Sequence, residues 1–91
     1  MAKVHIKGFI LQKIAGTDGM WDSDIAASVC EEYGKQGPYW IGSVRVILTD
    51  LYSGGLVTSV EEKFDAYADK MRFRFRLSDF GRQRMLDTGL L

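Results

Sequence analysis

The sequence predicts a small α+β domain, mostly helical, with three helices, a two-stranded hairpin and a short C-terminal helix. Three observations predict it. In three glycine-terminated segments of the first 54 residues, apolar side chains recur at the spacing of a helix. Residues 70–77 alternate strictly between cations and apolar side chains, which is the two-residue period of a β-strand. The chain has 91 residues, 46% of them hydrophobic, which suits a single core, so we predict one domain over residues 1–91.

The first two helices are predicted from their apolar stripes and their boundary residues. The first spans residues 3–15 and ends at Gly16; its stripe is Ile6, Phe9, Ile10 and Ile14. The second begins where Asp22 or Ser23 can cap it and ends at Gly34, which suits the position after a helix. Its stripe consists of Ile25, Val29 and Tyr33.

The third helix is predicted over residues 42–53, before the pair Gly54-Gly55. Its core face consists of Val44, Ile47, Leu48 and Leu51, which follow the i, i+3, i+4, i+7 pattern. The two residues just before it are aromatic. We expect Trp40 to fix the entry into the helix as a hydrophobic staple, whereas Tyr39 either does the same or contacts DNA.

The hairpin and the last helix follow from the second half of the chain. Residues 56–60 are rich in β-branched side chains and predict one strand; residues 70–77 predict the other, with residues 61–69 as a polar connection. On the second strand the period of two places the apolar residues against the core: Met71, Phe73, Phe75 and Leu77. Ser78 is predicted to cap a final helix over residues 79–87.

This order of elements is that of a winged helix-turn-helix, and two segments resemble PadR-like transcriptional regulators. In the first, a small pair, Gly42-Ser43, precedes leucines three residues apart, Leu48 and Leu51, and Gly55-Leu56-Val57 opens the wing. The second, Phe75 to Met85, is similar to the family's aromatic-x-Leu-Thr-x-x-Gly-x-x-x-Leu pattern. The resemblance implies a regulator that binds double-stranded DNA in the cytoplasm, expected to act as a repressor.

The third helix provides the predicted base contacts. Opposite its core face lie Gly42, Val46, Thr49 and Ser53, with Arg45 on the flank. Arg45 is the predicted reader of a guanine edge, while Thr49 and Val46 suit a thymine methyl. Gly42 and Ser43, at the predicted helix start, would offer backbone N–H groups and a hydroxyl to a phosphate. The competing interpretation is an ordinary amphipathic helix with a mixed outer face.

The alternating strand divides into two predicted roles. Lys70 and Arg72, near the tip of the wing, are predicted phosphate contacts together with Lys63, although pairing with nearby acids is an equal alternative for the first two. Arg74 and Arg76 are expected instead to pair with neighbouring acids, such as Glu61 and Glu62 at the end of the partner strand.

The remaining partner predictions are a homodimer and an effector. We expect a homodimer on a pseudo-palindrome, because one module of this size contacts few bases. The apolar residues available for dimerisation near the two ends are Phe9, Phe80, Met85, Leu90 and Leu91. The resemblance also allows a small-molecule effector. For Trp21, Phe64 and Tyr67, packing in the core or anchoring of loops is expected rather than ligand contact.

Composition excludes several other classes of function. Twelve basic and twelve acidic residues cancel, and acids dominate residues 61–69, so a winged helix that binds another protein is the alternative hypothesis. No apolar run is long enough for a membrane span, no signal peptide is recognisable, and the lone Cys30 favours a reducing cytoplasm. No catalytic motif, metal-ligand spacing around His5 or cofactor motif is found, so we predict neither an enzyme nor a cofactor.

Overall fold

The computed structural model describes residues 5–91, and these form four helices and one three-stranded antiparallel sheet. The elements are α1 (Ile6–Ala15), β1 (Met20–Trp21), α2 (Asp22–Tyr33), α3 (Pro38–Ser53), β2 (Val57–Asp65), β3 (Lys70–Leu77) and α4 (Asp79–Thr88). The strands lie in the order β1-β3-β2, so the alternating strand is central. The sequence did not predict β1, because a strand of two residues shows no period.

The boundaries of α1 and α2 follow the predicted signals with one exception. The first helix was predicted from residue 3; residues 3 and 4 lie outside the described residues, and α1 ends at Gly16 as predicted. Gly34 ends α2 in the left-handed conformation, at a φ of 65°. The predicted cap of α2 was wrong. Trp21 occupies the cap position, and no side chain caps the helix there.

The third helix begins earlier than predicted, at Pro38 instead of Gly42. Its cap residue is Gly37, whose φ of 97° is readily adopted only by glycine, and Pro38 follows at a position where its missing N–H is no loss. Tyr39 and Trp40 therefore lie inside the first turn of α3, not before it. Their rings meet edge to face at 5.2 Å, and Lys35 Nζ lies 5.0 Å from the centre of the Trp40 ring.

The hairpin is longer than predicted, because β2 continues to Asp65 through residues assigned to a connection. A bulge explains the continuation. Ser59 pairs with Phe75, but Glu61 then pairs with Arg74, so one extra residue lies between them. Without that shift, Glu61 would face Phe73 on the apolar side of the hairpin. With it, Glu61 lies on the same side as Arg74, and both strands keep a consistent polar face.

The core lies between the helices and the proximal half of the hairpin. The predicted core residues of α3 are confirmed: Val44, Leu48 and Leu51 are buried, and Ile47 packs partly buried beside them. On β3, Phe75 and Leu77 are buried, and Phe73 packs against the core half-exposed. The prediction for Met71 was wrong. It is 37% exposed, because the sheet extends beyond the residues that the helices cover.

The last helix is confirmed, including its cap. The hydroxyl oxygen of Ser78 accepts a hydrogen bond from the Gly81 N–H at 2.8 Å. Met85, which the sequence suggested for a dimer contact, is 1% exposed and belongs to the core. Leu90 and Phe9 are half-buried against that core, and the Phe9 ring meets Tyr33 edge to face at 5.5 Å. Of the predicted dimer residues, Phe80 and Leu91 stay exposed.

Candidate nucleic-acid interface

The outer face of α3 is the first component of the candidate site. Gly42, Val46 and Thr49 are exposed on the side opposite the buried stripe, as the helical period predicts. The Thr49 hydroxyl donates a hydrogen bond to the backbone carbonyl of Arg45 at 2.9 Å. The hydroxyl proton of Thr49 is therefore used in a bond within the helix, and the Thr49 methyl group remains available for an apolar contact. The thymine methyl contact predicted for Val46 and Thr49 needs an apolar surface of this kind.

Arg45 is the cation of this face. Its side chain is half-buried on the flank of α3, and it forms no ion pair with any of residues 5–91. An unpaired guanidinium keeps all five N–H donors for an external acceptor. Direct readout of a guanine requires a planar pair of donors of this kind.

The start of α3 alters the role predicted for two residues. Since the helix begins at Pro38, Gly42 and Ser43 lie in its second turn, where backbone N–H groups bond within the helix. The prediction that these two N–H groups meet a phosphate was therefore wrong. The Ser43 hydroxyl remains a donor on a half-buried side chain, and Tyr39, 75% exposed in the first turn, lies nearer the helix terminus.

The cations of β3 are largely occupied by acids of the same chain. Arg74 Nε lies 2.9 Å from a carboxylate oxygen of Glu61, and a second Arg74 nitrogen donates to the carbonyl of Asp18 at 3.0 Å. Arg76 Nε lies 3.4 Å from the Asp18 carboxylate. Local pairing is thus confirmed for Arg74 and Arg76, with Asp18 as a partner that is distant in sequence.

The three predicted phosphate contacts on the hairpin, Lys63, Lys70 and Arg72, differ in their partners in the structure. Arg72 Nε pairs with the Asp65 carboxylate at 3.2 Å, which favours the local alternative. Lys63 Nζ lies 5.1 Å from the centre of the half-buried Trp21 ring and makes a cation–π contact with it. Lys70 forms no ion pair within the described residues, so it is the hairpin lysine left for a phosphate.

The turn of the hairpin is held by Asp65. Its carboxylate accepts hydrogen bonds from the N–H groups of Tyr67 and Ala68, both at 3.1 Å. The Ala68 N–H lowers the pKa of Asp65 below the ordinary value of 3.8; partial removal from water opposes this, while Arg72 and the Tyr67 N–H add to it. Tyr67 is fully exposed on this turn, so the predicted packing role for Tyr67 was wrong.

We expect the hairpin turn to lose its order when Asp65 is protonated. Because the folded pKa is depressed, the stabilisation is present above 3.8 and is lost as the pH falls through the folded value. Amide NMR signals of Tyr67 and Ala68 should stay constant from neutral pH to about pH 5 and shift together below about pH 4. Asp65→Asn is the matched control, since it keeps an acceptor oxygen without a titrating proton. A shared midpoint above 3.8 would contradict the prediction.

A groove between α3 and the hairpin was not predicted. Its volume is about 300 Å³, and it is lined by Asp22, Arg45, Leu48, Thr49, Tyr52, Ser59, Glu62, Phe73 and Phe75. The sequence signal was present in Tyr52 and Phe73, apolar residues that flank the core stripes, but the two lie 21 residues apart and only the fold brings them together. The groove places the predicted base-reading residues Arg45 and Thr49 beside aromatic walls.

Asp22 was predicted as a possible cap of α2, but its side chain has a different role in the structure. Its side chain is 5% exposed, and its two carboxylate oxygens accept from the N–H groups of Ser23 at 2.7 Å and Phe73 at 3.3 Å. β1 pairs with β3 only at Phe75 and Arg74. Beyond the end of β1, the Asp22 carboxylate accepts the hydrogen bond of the next β3 residue, Phe73. This contact joins the start of α2 to the central strand.

Among residues 5–91, no three His, Cys, Asp or Glu side chains are grouped so that they could hold a metal ion. No helix formed by these residues is both long and apolar enough to cross a membrane.

Comparison with known proteins gives a likeness of fold. The chain is similar to the crystal structure of a candidate transcriptional regulator from Thermoplasma acidophilum, with a TM-score of 0.72 and 22% sequence identity. The match covers 90% of this chain and 72% of the other. No protein-family model and no curated protein matches the sequence. The protein therefore shares the fold of a candidate regulator, an α+β arrangement of helices and an antiparallel sheet.

Proposed function

We propose that this protein is a sequence-specific transcriptional regulator of the PadR-like winged-helix type that binds double-stranded DNA and has no enzymatic activity. In this proposal α3 is the recognition helix and the β2–β3 hairpin is the wing. The observation that carries it is Arg45, an unpaired guanidinium beside the exposed Thr49 and Val46 on the outer face of α3. The fold shared with a candidate regulator supports the same function.

In this proposal α3 makes the base contacts that give specificity, and the wing makes a modest phosphate contact. Arg45 and Thr49 contact base edges in the major groove, and Lys70 contacts the backbone. Most wing cations are paired with acids, so few counterions would be released on binding. Such a protein gains affinity by presenting two copies to a pseudo-palindrome, and we propose a homodimer as the DNA-binding form, with Phe80 and Leu91 as exposed apolar contacts.

We expect Arg45→Ala to relax base preference and Lys70→Ala to weaken all duplexes alike. Loss of a bidentate guanine contact should remove about 1–3 kcal/mol of discrimination at one position. Loss of a phosphate contact should lower the salt slope by about one unit. A selection from random duplex DNA, followed by binding measured by fluorescence anisotropy across salt concentrations, checks both effects.

Arg84→Ala is the matched control, because it removes the same charge from an exposed position on α4. It should leave both the selected sequence and the salt slope unchanged. If no duplex from the random pool is retained at about 50 mM salt, where electrostatic binding is strong, the DNA-binding proposal fails.

That outcome would favour the second candidate function, a winged helix that binds another protein. Its specific support is the pairing of Arg72, Arg74 and Arg76 with acids of the same chain, which neutralises most of the hairpin's cationic face. A net charge of zero agrees with this. Protein interfaces also favour exposed aromatic residues, and Tyr67 and Phe64 are both exposed on the hairpin.

A further inference from the structure

The apolar side of the hairpin continues beyond the core. Phe64 and Met71 pair opposite each other in the register, 58% and 37% exposed. Phe73 and Phe75 follow on the same side toward the core and form walls of the groove beside α3. These four residues and the groove make one apolar surface, which we call the hairpin face. Exposed apolar side chains that continue into an apolar groove are typical of a binding surface.

Two unpaired charges of opposite sign border the hairpin face. Arg45 lies on the α3 wall of the groove, and Glu62 lies on the β2 wall, opposite Phe73 in the register. Neither forms an ion pair with any of residues 5–91, whereas Arg72, Arg74 and Arg76 on the other side of the hairpin do. The hairpin face therefore carries an apolar strip between one free cation and one free anion.

We infer that the hairpin face binds a second copy of this chain through a two-fold symmetric contact, which is separate from the contact proposed through Phe80 and Leu91. In such a contact the same surface is used twice, so Arg45 of each copy can meet Glu62 of the other. Both unpaired charges are then compensated at once, and Phe64 and Met71 are removed from water. Duplex DNA would pair with Arg45 but leave Glu62 unpaired, and a basic partner would pair with Glu62 but leave Arg45 unpaired. A second copy is the occupant that complements both.

The hairpin-face contact would also affect DNA binding, and this part of the inference rests on the proposed function. Arg45 and Thr49 line the groove, so a second copy seated there covers the residues proposed to contact bases. Association through the hairpin face and binding of duplex DNA should therefore exclude each other. The chain would be held in a form that cannot bind DNA until an operator competes for the same surface.

Charge reversal and mixing test the symmetric contact without DNA. Arg45→Glu alone should place Glu opposite Glu at both pairs, and Glu62→Arg alone should place Arg opposite Arg. Each single variant should associate at least about tenfold more weakly than the unaltered chain, because facing like charges are strongly unfavourable. A mixture of the two variants restores both opposite-charge pairs. The weight-average mass in sedimentation equilibrium should then rise above that of either variant alone.

Two further variants keep the experiment decisive. Arg84→Glu makes the same charge change on α4. That variant should associate as strongly as the unaltered chain, and its mixture with Glu62→Arg should not exceed the mass of Arg84→Glu alone. Phe64→Asp, at an exposed position that leaves the core intact, should weaken association by itself. The inference is overturned if the first mixture gains no mass, if the Arg84→Glu mixture gains as much, or if Phe64→Asp leaves association unchanged. None of these outcomes bears on duplex binding, so failure here and failure of the proposed function are distinguishable.

Discussion

Replacing Gly81 by alanine should destabilise the fold by about 2–3 kcal/mol, since overpacking a tight site costs this much. Gly81 is buried near the start of α4, where an added Cβ would overlap the carbonyl oxygen of Leu56 and lie 2.9 Å from the carbonyl carbon. It would also lie 3.0 Å from Leu77 Cδ1. The obstacle is the Leu56 backbone, which Ser78 holds in place: the Ser78 hydroxyl accepts from the Gly81 N–H, and the Ser78 N–H donates to the Leu56 carbonyl at 3.1 Å. The helix must therefore move away from the strand.

The sign of this effect is informative, because alanine normally favours a helix over glycine by about 0.5–1 kcal/mol. Gly42→Ala is the matched control: Gly42 also lies in a helix, and a Cβ there meets nothing within 4 Å. It should stabilise the protein by that amount while Gly81→Ala destabilises it. Urea unfolding of both variants measures the difference. Equal effects at the two positions would contradict the close approach of α4 to Leu56.

Replacing Leu51 by alanine should lower the free energy of unfolding by about 2–5 kcal/mol. Leu51 is completely buried near the end of α3, so its removal leaves a cavity as well as losing the transfer energy of the side chain. A protein of this size has little stability to spare, so the variant should be partly unfolded at moderate temperature. Thermal unfolding followed by circular dichroism measures the loss.

Leu86→Ala is the control of the same chemistry, because Leu86 is 53% exposed on α4. The change should alter the free energy of unfolding by about 0.5 kcal/mol or less, as is usual for surface positions. If the two leucine variants lost equal stability, the burial of Leu51 in the core or the exposure of Leu86 would be wrong.

The alternating strand at residues 70–77 shows what a sequence pattern can and cannot decide. The period of two correctly separates its cations from its apolar residues. Which partners the cations find depends on residues far away in the chain: Asp18 reaches Arg76, and the Asp18 carbonyl accepts from Arg74. A Cβ at Gly19 would collide with the Arg74 side chain, so that approach needs the glycine there. Exposed pairs of this kind contribute only about 0–1 kcal/mol each, so their larger effect is on the charge that the hairpin presents at its surface.

The candidate site was predicted in its components but not in its arrangement. The outer face of α3 follows from the helical spacing of Val44, Leu48 and Leu51, which fixes by exclusion where Arg45 and Thr49 lie. The start of that helix was missed, because Gly37 and Pro38 are equally typical of a turn. The groove was missed because Tyr52 and Phe73 belong to different elements, and pairing between them carries no local signal.

The sequence by itself determined the order of the elements, their apolar faces and most helix ends, because these depend on period and on residues close together in the chain. Tertiary structure alone decided which charges are neutralised, how far the hairpin extends and what remains exposed at its end. The bulge after Ser59 turned Glu61 toward Arg74, and no helix formed by residues 5–91 covers Phe64 and Met71 at the distal end of the hairpin. These outcomes depend on contacts between distant segments, which only folding brings together.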